Sequence, residues 1–461
     1  MTPGLDEDKV FIVHRGNMQT RHDPYYYLPK FVRLEARVTA RSTARLRDYV
    51  MVMSGGSTPK KEGEEKYYSD QESGIPFVRV QNLNVDGHLS LDEVKYVNRE
   101  THEGLLNRSK VLQDDLLVKI TGVGRMAVAS VPPIGFEGNI NQHIARIRTE
   151  SRATSEALAA WLNTDIAETL AKRRSTGGTR PALDYPALRS IPVILDKQVH
   201  NELSGAYEQY KQAEAKASEL LGGIDEYLLS ELGITLPPEP ENTIDNRIFT
   251  AQRKELVGWR FDPQALHPER EACVDALRRL NSLSLKSVCL FVRDLRTEIP
   301  EGATYIGLEN IESNTGRYIP SSEKETVSSA FAFRKGQVLF PKLRPYLNKV
   351  FCAPFDGLCS TEFHVLEGRS VSSEFLALYL RSQVVVKQTK HLMSGNTLPR
   401  LQTEDIEDLL IPVADPVIQE KIVSEANRRM TEAENLRTKA ASELSAAKRR
   451  IEAMLLGEVT V

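Results

Sequence analysis

Four basic residues and no acid fall within residues 171–180, reading AKRRSTGGTR. Lys172, Arg173, Arg174 and Arg180 offer cations, and the Gly-rich turn with Thr179 adds small hydroxyls and open backbone N–H groups that suit phosphate oxygens. A second acid-free cluster, residues 341–349, holds Lys342, Arg344 and Lys349 with Tyr346 between them. Residues 54–61, SGGSTPKK, are small and basic and bring in Lys60. These residue types bind a polyanion and, through Arg or Lys to guanine and Asn or Gln to adenine, can read base edges. The expected DNA contacts are Lys60, Lys172, Arg173, Arg174, Thr179 and Arg180 in the first half of the chain. In the second half they are Lys342, Arg344, Tyr346, Asn396, Thr397 and Arg400. The competing reading of each cluster is a solvated surface, and Gly-x-Thr-x-Pro can simply shape a turn.

Catalytic patterns fail on their chemistry. The chain has no GxxxxGK[ST], HExxH or GxSxG. Val131-Pro132-Pro133-Ile134 approaches an amino-methyltransferase signature, but Val131 cannot hydrogen-bond an amino group and Ile134 offers no ring to stack on a base. Gly122-Val123-Gly124 lacks the third glycine of a cofactor loop. Glu93 and Lys95, with Asp86 upstream, have the form of some nuclease sites, a pattern that arises by chance in a chain with 27% charged residues. The nine histidines form no cluster in sequence, and Cys273, Cys289, Cys352 and Cys359 form no CxxC pair, so neither a catalytic residue nor a metal site is expected.

The elements that must position the basic loops come in two copies. Arg21-His22-Asp23-Pro24 returns as Arg260-Phe261-Asp262-Pro263, and residues 46–50 return as 285–289. Residues 75–83 resemble 304–311, and residues 177–183 parallel 395–401. Ile191-Pro192-Val193 returns as Ile411-Pro412-Val413. Blocks repeated in one order mark an internal duplication. Within each copy, short β-type runs such as residues 116–120 and 337–340 alternate with turn residues, and helical stretches follow.

Each copy ends in a long amphipathic helix. Val199, Leu203, Ala206, Tyr210, Ala213, Ala217, Leu220, Ile224 and Tyr227 step by four and three, the seam of a coiled coil. Ile418, Ile422, Ala426, Met430, Ala433, Leu436, Ala440, Leu444, Ala447, Ile451 and Met454 follow a looser helical period. Such helices extend roughly 45–50 Å. Val199, Leu203, Tyr210, Leu220, Ile224, Ile422, Leu444 and Ile451 are the expected partner-docking positions.

The expected fold is therefore α+β and internally duplicated, with two domains and two long helices that pair with each other. Its expected parts are an N-terminal segment (1–35), a first domain (36–195), a central helix (196–233) and a Pro-rich linker (234–246). A second lead segment (247–275), a second domain (276–413) and a C-terminal helix (414–461) complete it. The 461 residues carry 60 Lys+Arg against 63 Asp+Glu, which excludes a polybasic protein but leaves locally basic surfaces open. No apolar run is long enough to span a bilayer, the N-terminus has no apolar h-region, and cysteines are few, so a cytoplasmic chain without a membrane segment is expected.

At this point the sequence resembles the specificity subunits of type I restriction–modification systems, over roughly residues 10–457. The most specific part is residues 335–350, KGQVLFPKLRPYLNKV, followed by residues 356–363, DGLCSTEF. Residues 54–59, 75–78 and 115–122, the Arg-x-Asp-Pro openings and the Ile-Pro-Val entrances to the helices are also family-like. Gln337 stands where the family usually has Asp, and the lead of about 35 residues is somewhat long. The resemblance implies two target recognition domains, separated by two long antiparallel helices that act as a spacer, each reading half of a bipartite, asymmetric site on double-stranded DNA. It implies docking of two DNA-methyltransferase subunits and of restriction/translocase subunits, with S-adenosylmethionine held by the methyltransferase and no cofactor on this chain. The readings set against it are a non-catalytic coiled-coil adaptor and a recognition subunit of a related phage-defence system.

Overall fold

Alternation inside the β-type runs explains how each half of the chain is layered. In the computed structural model Leu116, Leu117 and Val118 are all fully buried, but Leu116 and Val118 enter one core and Leu117 another. Val338 and Phe340 likewise enter one core while Leu339 enters another. Successive side chains of a strand point to opposite faces, so an unbroken apolar run is what a strand between two packed layers requires.

The structure describes residues 6, 8–18, 21–60, 64–91, 93–238, 243, 248–250, 263–300, 302–320, 328–395 and 399–458. The Arg260-Phe261-Asp262 block and much of the Pro-rich linker lie outside these. Two compact units are present: Met1–Ala213 with Thr438–Val461, and Glu214–Arg437. The boundary thus cuts through both long helices expected at 196–233 and 414–461. The helix Pro29–Arg41 also runs across the expected boundary at residue 36.

In the first unit one antiparallel sheet has the order Val52–Gly55, Ile144–Arg148, Leu116–Lys119, Ala129–Ser130. The second has the order Tyr68–Ser69, Lys95–Val97, Ile75–Val78, Glu137–Ile140, Lys110–Leu112, in which Phe77↔Asn139 belongs to a parallel pair. The second unit repeats the plan. Its first sheet runs Cys289–Val292, Phe363–Gly368, Val338–Pro341, Phe351–Cys352, again antiparallel. Its second runs Leu295–Arg296, Ala330–Phe333, Gly357–Cys359, Tyr305–Ile306, with Tyr305↔Leu358 parallel. The duplication therefore extends to strand order and sense in the first sheets and in three strands of the second. There Ile75–Val78, Glu137–Ile140 and Lys110–Leu112 match Tyr305–Ile306, Gly357–Cys359 and Ala330–Phe333, while the edge strands of the second sheets differ.

A buried asparagine marks the same turn in both copies. Asn82 Oδ1 accepts the Arg79 N–H at 2.9 Å, and Asn310 Oδ1 accepts the Gly307 N–H at 2.9 Å. Paired helices follow each first sheet: Arg152–Leu162 and Asp165–Arg174, then Ser373–Leu380 and Gln383–Thr389. Ser151, Thr164 and Ser372 cap three of them by accepting an N–H of the first turn, which satisfies donors that a helix start leaves open.

The long helices are Lys197–Glu231 and Pro416–Leu455. In the first unit Arg450 pairs with Glu202 at 3.5 Å, and the Lys448 ammonium lies 5.0 Å from the Tyr207 ring centre. In the second unit Arg437 meets Glu214 at 3.2 Å, and Lys421 meets Glu231 at 2.7 Å. In each unit higher numbers on one helix meet lower numbers on the other, so the segments pack antiparallel. The buried positions of the first helix are Val199, Leu203, Tyr207, Ala217 and Leu228. Tyr207 and Leu228 replace the expected Ala206, Tyr210 and Tyr227, because spacings of 4, 4, 10 and 11 keep near the ~3.6-residue turn of a straight helix, from which a strict four–three seam drifts away.

Candidate nucleic-acid interface

Backbone ladders hold the basic loops of the first unit together. The Gly122 N–H donates to the Pro181 carbonyl at 3.1 Å, and the Leu183 N–H to Ile120 at 2.8 Å. Thr176 and Ala182 exchange bonds of 2.9 and 2.8 Å, closing the loop that carries Thr179 and Arg180. Residues 54–60 join them: the Ser57 N–H donates to Ile140, and the Thr58 hydroxyl bonds the Gln142 side chain. A Cβ on Gly56 would fall 2.1 Å from the Asn141 carbonyl, so only glycine permits this approach.

The second unit repeats the construction. The Arg344 N–H donates to Pro399 at 2.8 Å, the Leu401 N–H donates to Lys342 at 3.0 Å, and Ser394 and Arg400 exchange two bonds of 2.9 Å. Arg344 occupies the place of Gly122, and both have positive φ, 49° and 122°. A guanidinium thus stands in one copy where the other has no side chain.

The expected contacts divide sharply. Lys60, Thr179 and Arg180 are exposed on these loops, as are Arg344 and Tyr346. Lys172 is exposed but pairs with Glu168 at 2.8 Å. Lys342 is half-buried, and burial, with Arg400 and Arg293 nearby, holds its ammonium below the ordinary value although Glu362 opposes this. Arg400 is exposed and bonded to Glu362 at 2.7 Å. Asn396 and Thr397 lie outside the described residues.

Arg173 and Arg174 do not belong in the interface. Their side chains are 6% and 3% exposed, and both bond Glu35, each at 2.7 Å. Arg173 also donates to the Tyr26 carbonyl at 2.9 Å and stacks 4.2 Å from the Tyr26 ring centre. They clamp the helix Pro29–Arg41 to the domain, because a guanidinium buried beside a carboxylate stays there rather than cross to solvent.

The docking positions need the same correction. Val199, Leu203 and Ile451 are buried in the core of the first unit and Ile422 in that of the second. Leu444 and Ile224 pack against those cores, while Tyr210 and Leu220 are partly exposed. The apolar stripe is mostly consumed internally, as expected for an amphipathic helix lying on its own domain.

Sequence spacing missed three neighbours of the basic loops. His143 lies near Arg180; burial, then that charge, lowers its pKa. His364 is pushed to about 4 by burial and by Lys342 and Arg293, and its buried Nε2 has no hydrogen-bond partner among the described residues. Glu362 is the carboxylate that engages Arg400. Only Glu362, inside the DGLCSTEF segment, left a mark in the sequence. The Asp86, Glu93, Lys95 pattern does not assemble: Asp86 pairs with Lys211 at 2.6 Å, and the Lys95 ammonium lies 5.0 Å from the Tyr68 ring centre.

Two histidines do meet, contrary to expectation. The His267 and His391 rings stack at 3.6 Å and 6°, and with Glu269 they bring ligand atoms within 4.8 Å. Parallel rings that far apart cannot both hold one ion in plane, and Glu269 already accepts from His391 at 2.9 Å and Lys390 at 3.1 Å. The geometry is that of a salt-bridge cluster rather than a metal centre.

Residues 300–425 match the family described as "Type I restriction modification DNA specificity domain". The chain is 28% identical over 122 residues to the type I restriction enzyme EcoDI specificity subunit of Escherichia coli. That match covers 26% of this chain and spans 27% of the length of the curated relative. The structure is similar to that of a type I restriction–modification S subunit from M. genitalium, with a TM-score of 0.43 and 12% identity over 89% of this chain and 95% of that one. It is also similar to a chain from a study of type I R-M complex assembly, with a TM-score of 0.44 and 13% identity over the same shares. The family match is thus confined to residues 300–425, which are similar to the type I restriction modification DNA specificity domain.

Proposed function

We propose that this chain is the DNA sequence-specificity subunit of a type I restriction–modification complex and reads a bipartite, asymmetric site. The observation that carries the reading is the repeated loop ladder, which presents Arg180 in one unit and Arg344 in the other. Guanidinium groups on loops braced by backbone bonds suit phosphate contact or bidentate reading of guanine in the major groove. The family match falls on the copy that contains Arg344 and supports the same reading. Because Gly122 and Arg344 differ at one structural position, the two half-sites should differ in sequence.

In this reading the long helices act as the spacer between half-sites. Their outward faces, rather than Val199, Leu203, Ile422 and Ile451, dock two methyltransferase subunits and then the restriction/translocase subunits. The chain itself performs no catalysis and holds no cofactor; the methyltransferase brings S-adenosylmethionine. The complex works in the cytoplasm, and no described helix is long and apolar enough to cross a membrane.

Methylation by the reconstituted complex on a randomised DNA library tests the proposal. Arg344→Ala should relax base preference within one half-site and leave the other unchanged. Loss of preference in both halves, or methylation independent of this chain, would contradict it.

A further inference from the structure

A cavity of about 620 Å³ lies within the second unit, between the helix Ser373–Leu380, residues 352–354 and that unit's segments of the long helices. Leu221, Ala377, Leu378, Val423 and Met430 form an apolar wall. Arg381, the residue that ends the helix, lines this cavity and a smaller one beside it. Its Nη1 reaches the Val350 carbonyl at 3.4 Å, and no carboxylate pairs with it among the described residues. The other guanidinium groups at the cavity are engaged: Arg317 with Glu312 at 2.9 Å and Arg437 with Glu214 at 3.2 Å. Burial pushes the Arg381 pKa down to about 10, so it is charged at neutral pH.

The duplication shows that the fold does not need this charge. In the first unit Asn163 ends the matching helix, donates to the Ala129 carbonyl at 2.8 Å and accepts the Ala129 N–H at 3.0 Å. Ala129 and Val350 stand at matching places on the edge of the first sheet, so a short neutral amide braces that edge fully. Arg381 makes one long bond there and sends its cation into the cavity. A half-buried guanidinium with no carboxylate partner is less favourable than one that an anion completes.

We propose that this cavity is a binding site for a small amphipathic anion, its apolar body against Leu221, Leu378 and Met430 and its carboxylate or phosphate on the Arg381 guanidinium. This assignment does not depend on DNA recognition, and its failure would leave that reading intact.

Cys352 supplies the readout, because it lines the cavity and is partly exposed while Cys273, Cys289 and Cys359 are buried. The full chain is alkylated with N-ethylmaleimide in the presence of benzoate, phenyl phosphate, inorganic phosphate or benzamide, and labelling at Cys352 is followed by mass spectrometry. Benzoate or phenyl phosphate should slow labelling at concentrations about tenfold below any effect of neutral benzamide, and which of the two acts at the lower concentration identifies the headgroup. Arg381→Gln should abolish that difference and Arg381→Lys should retain its order. Equal protection by benzamide, protection by inorganic phosphate as strong as by phenyl phosphate, survival of the difference in Arg381→Gln, or no protection at all would overturn the proposal. The comparison of benzoate with benzamide on the unaltered chain decides the matter even where Arg381→Gln fails to fold.

Discussion

Replacing Glu35 with glutamine removes the only negative charge that the Arg173 and Arg174 side chains touch among the described residues. The Glu35 side chain is 12% exposed and also lies 3.5 Å from Arg45. Breaking a buried ion pair by removing one partner costs about 3–5 kcal/mol, and the glutamine carbonyl retains part of the hydrogen bonding, so about 3 kcal/mol is expected. With a urea slope near 3 kcal/mol/M, the unfolding midpoint of the first unit should fall by about 1 M. Trp161, buried and bonded through Nε1 to the Pro192 carbonyl at 3.0 Å, reports on that unit once Trp259 is changed to Phe. A midpoint drop below about 0.3 M would refute the clamp, since under 1 kcal/mol is the range of an exposed pair.

The clamp also sets a pH dependence. Burial pushes the Glu35 carboxyl upward, but Arg174, Arg173 and Arg45 together outweigh it and leave the group below its ordinary value. A carboxyl whose folded pKa is depressed contributes stability at and above the ordinary carboxylate range, lost as pH falls through the folded value. Glu35→Gln should therefore narrow the gap to the unaltered chain in acid. If Arg173 and Arg174 were DNA contacts instead, freeing them would raise DNA affinity.

Arg180→Ala should weaken duplex binding by the assembled complex and reduce the salt dependence of log Kd by about one phosphate contact, with no change in unfolding midpoint. An unchanged salt slope would remove Arg180 from the interface. Asn310→Ala leaves the buried Gly307 N–H without its acceptor, which should cost about 1–3 kcal/mol and speed exchange of that amide; unaltered exchange would count against the bracing role. Glu269, held at about 2 by His391, Lys390 and Lys387 against burial, should stabilise the second unit above the ordinary carboxylate value of 4.5 and lose that contribution as pH falls toward about 2. Glu269→Gln should flatten that acid limb, and an unchanged limb would contradict the assignment.

Much of the architecture was legible because duplication and strand burial leave local marks. Residues 116–120 and 337–340 showed their strands, and the two Ile-Pro-Val steps located the start of each long helix. The sides of helices were not legible. Lys172, Arg173 and Arg174 are adjacent in sequence, but only Lys172 faces solvent, and the carboxylate that buries the other two lies 138 positions from Arg173. The four–three stripe on the central helix suggested a seam, yet packing selects Tyr207 and Leu228. His267 and His391 are distant in sequence, so their stack had no local signal. The pairing of Gly122 with Pro181, and of Arg344 with Pro399, joins loops that only the folded sheet brings together.

Sequencing of modified bases in a host that carries this chain with its methyltransferase, before and after residues 276–413 are exchanged for another such domain, tests the central claim most directly. The account predicts one asymmetric bipartite motif whose second half changes on exchange while the first half persists. Methylation that ignores this chain, or an exchange that alters both halves, would contradict it.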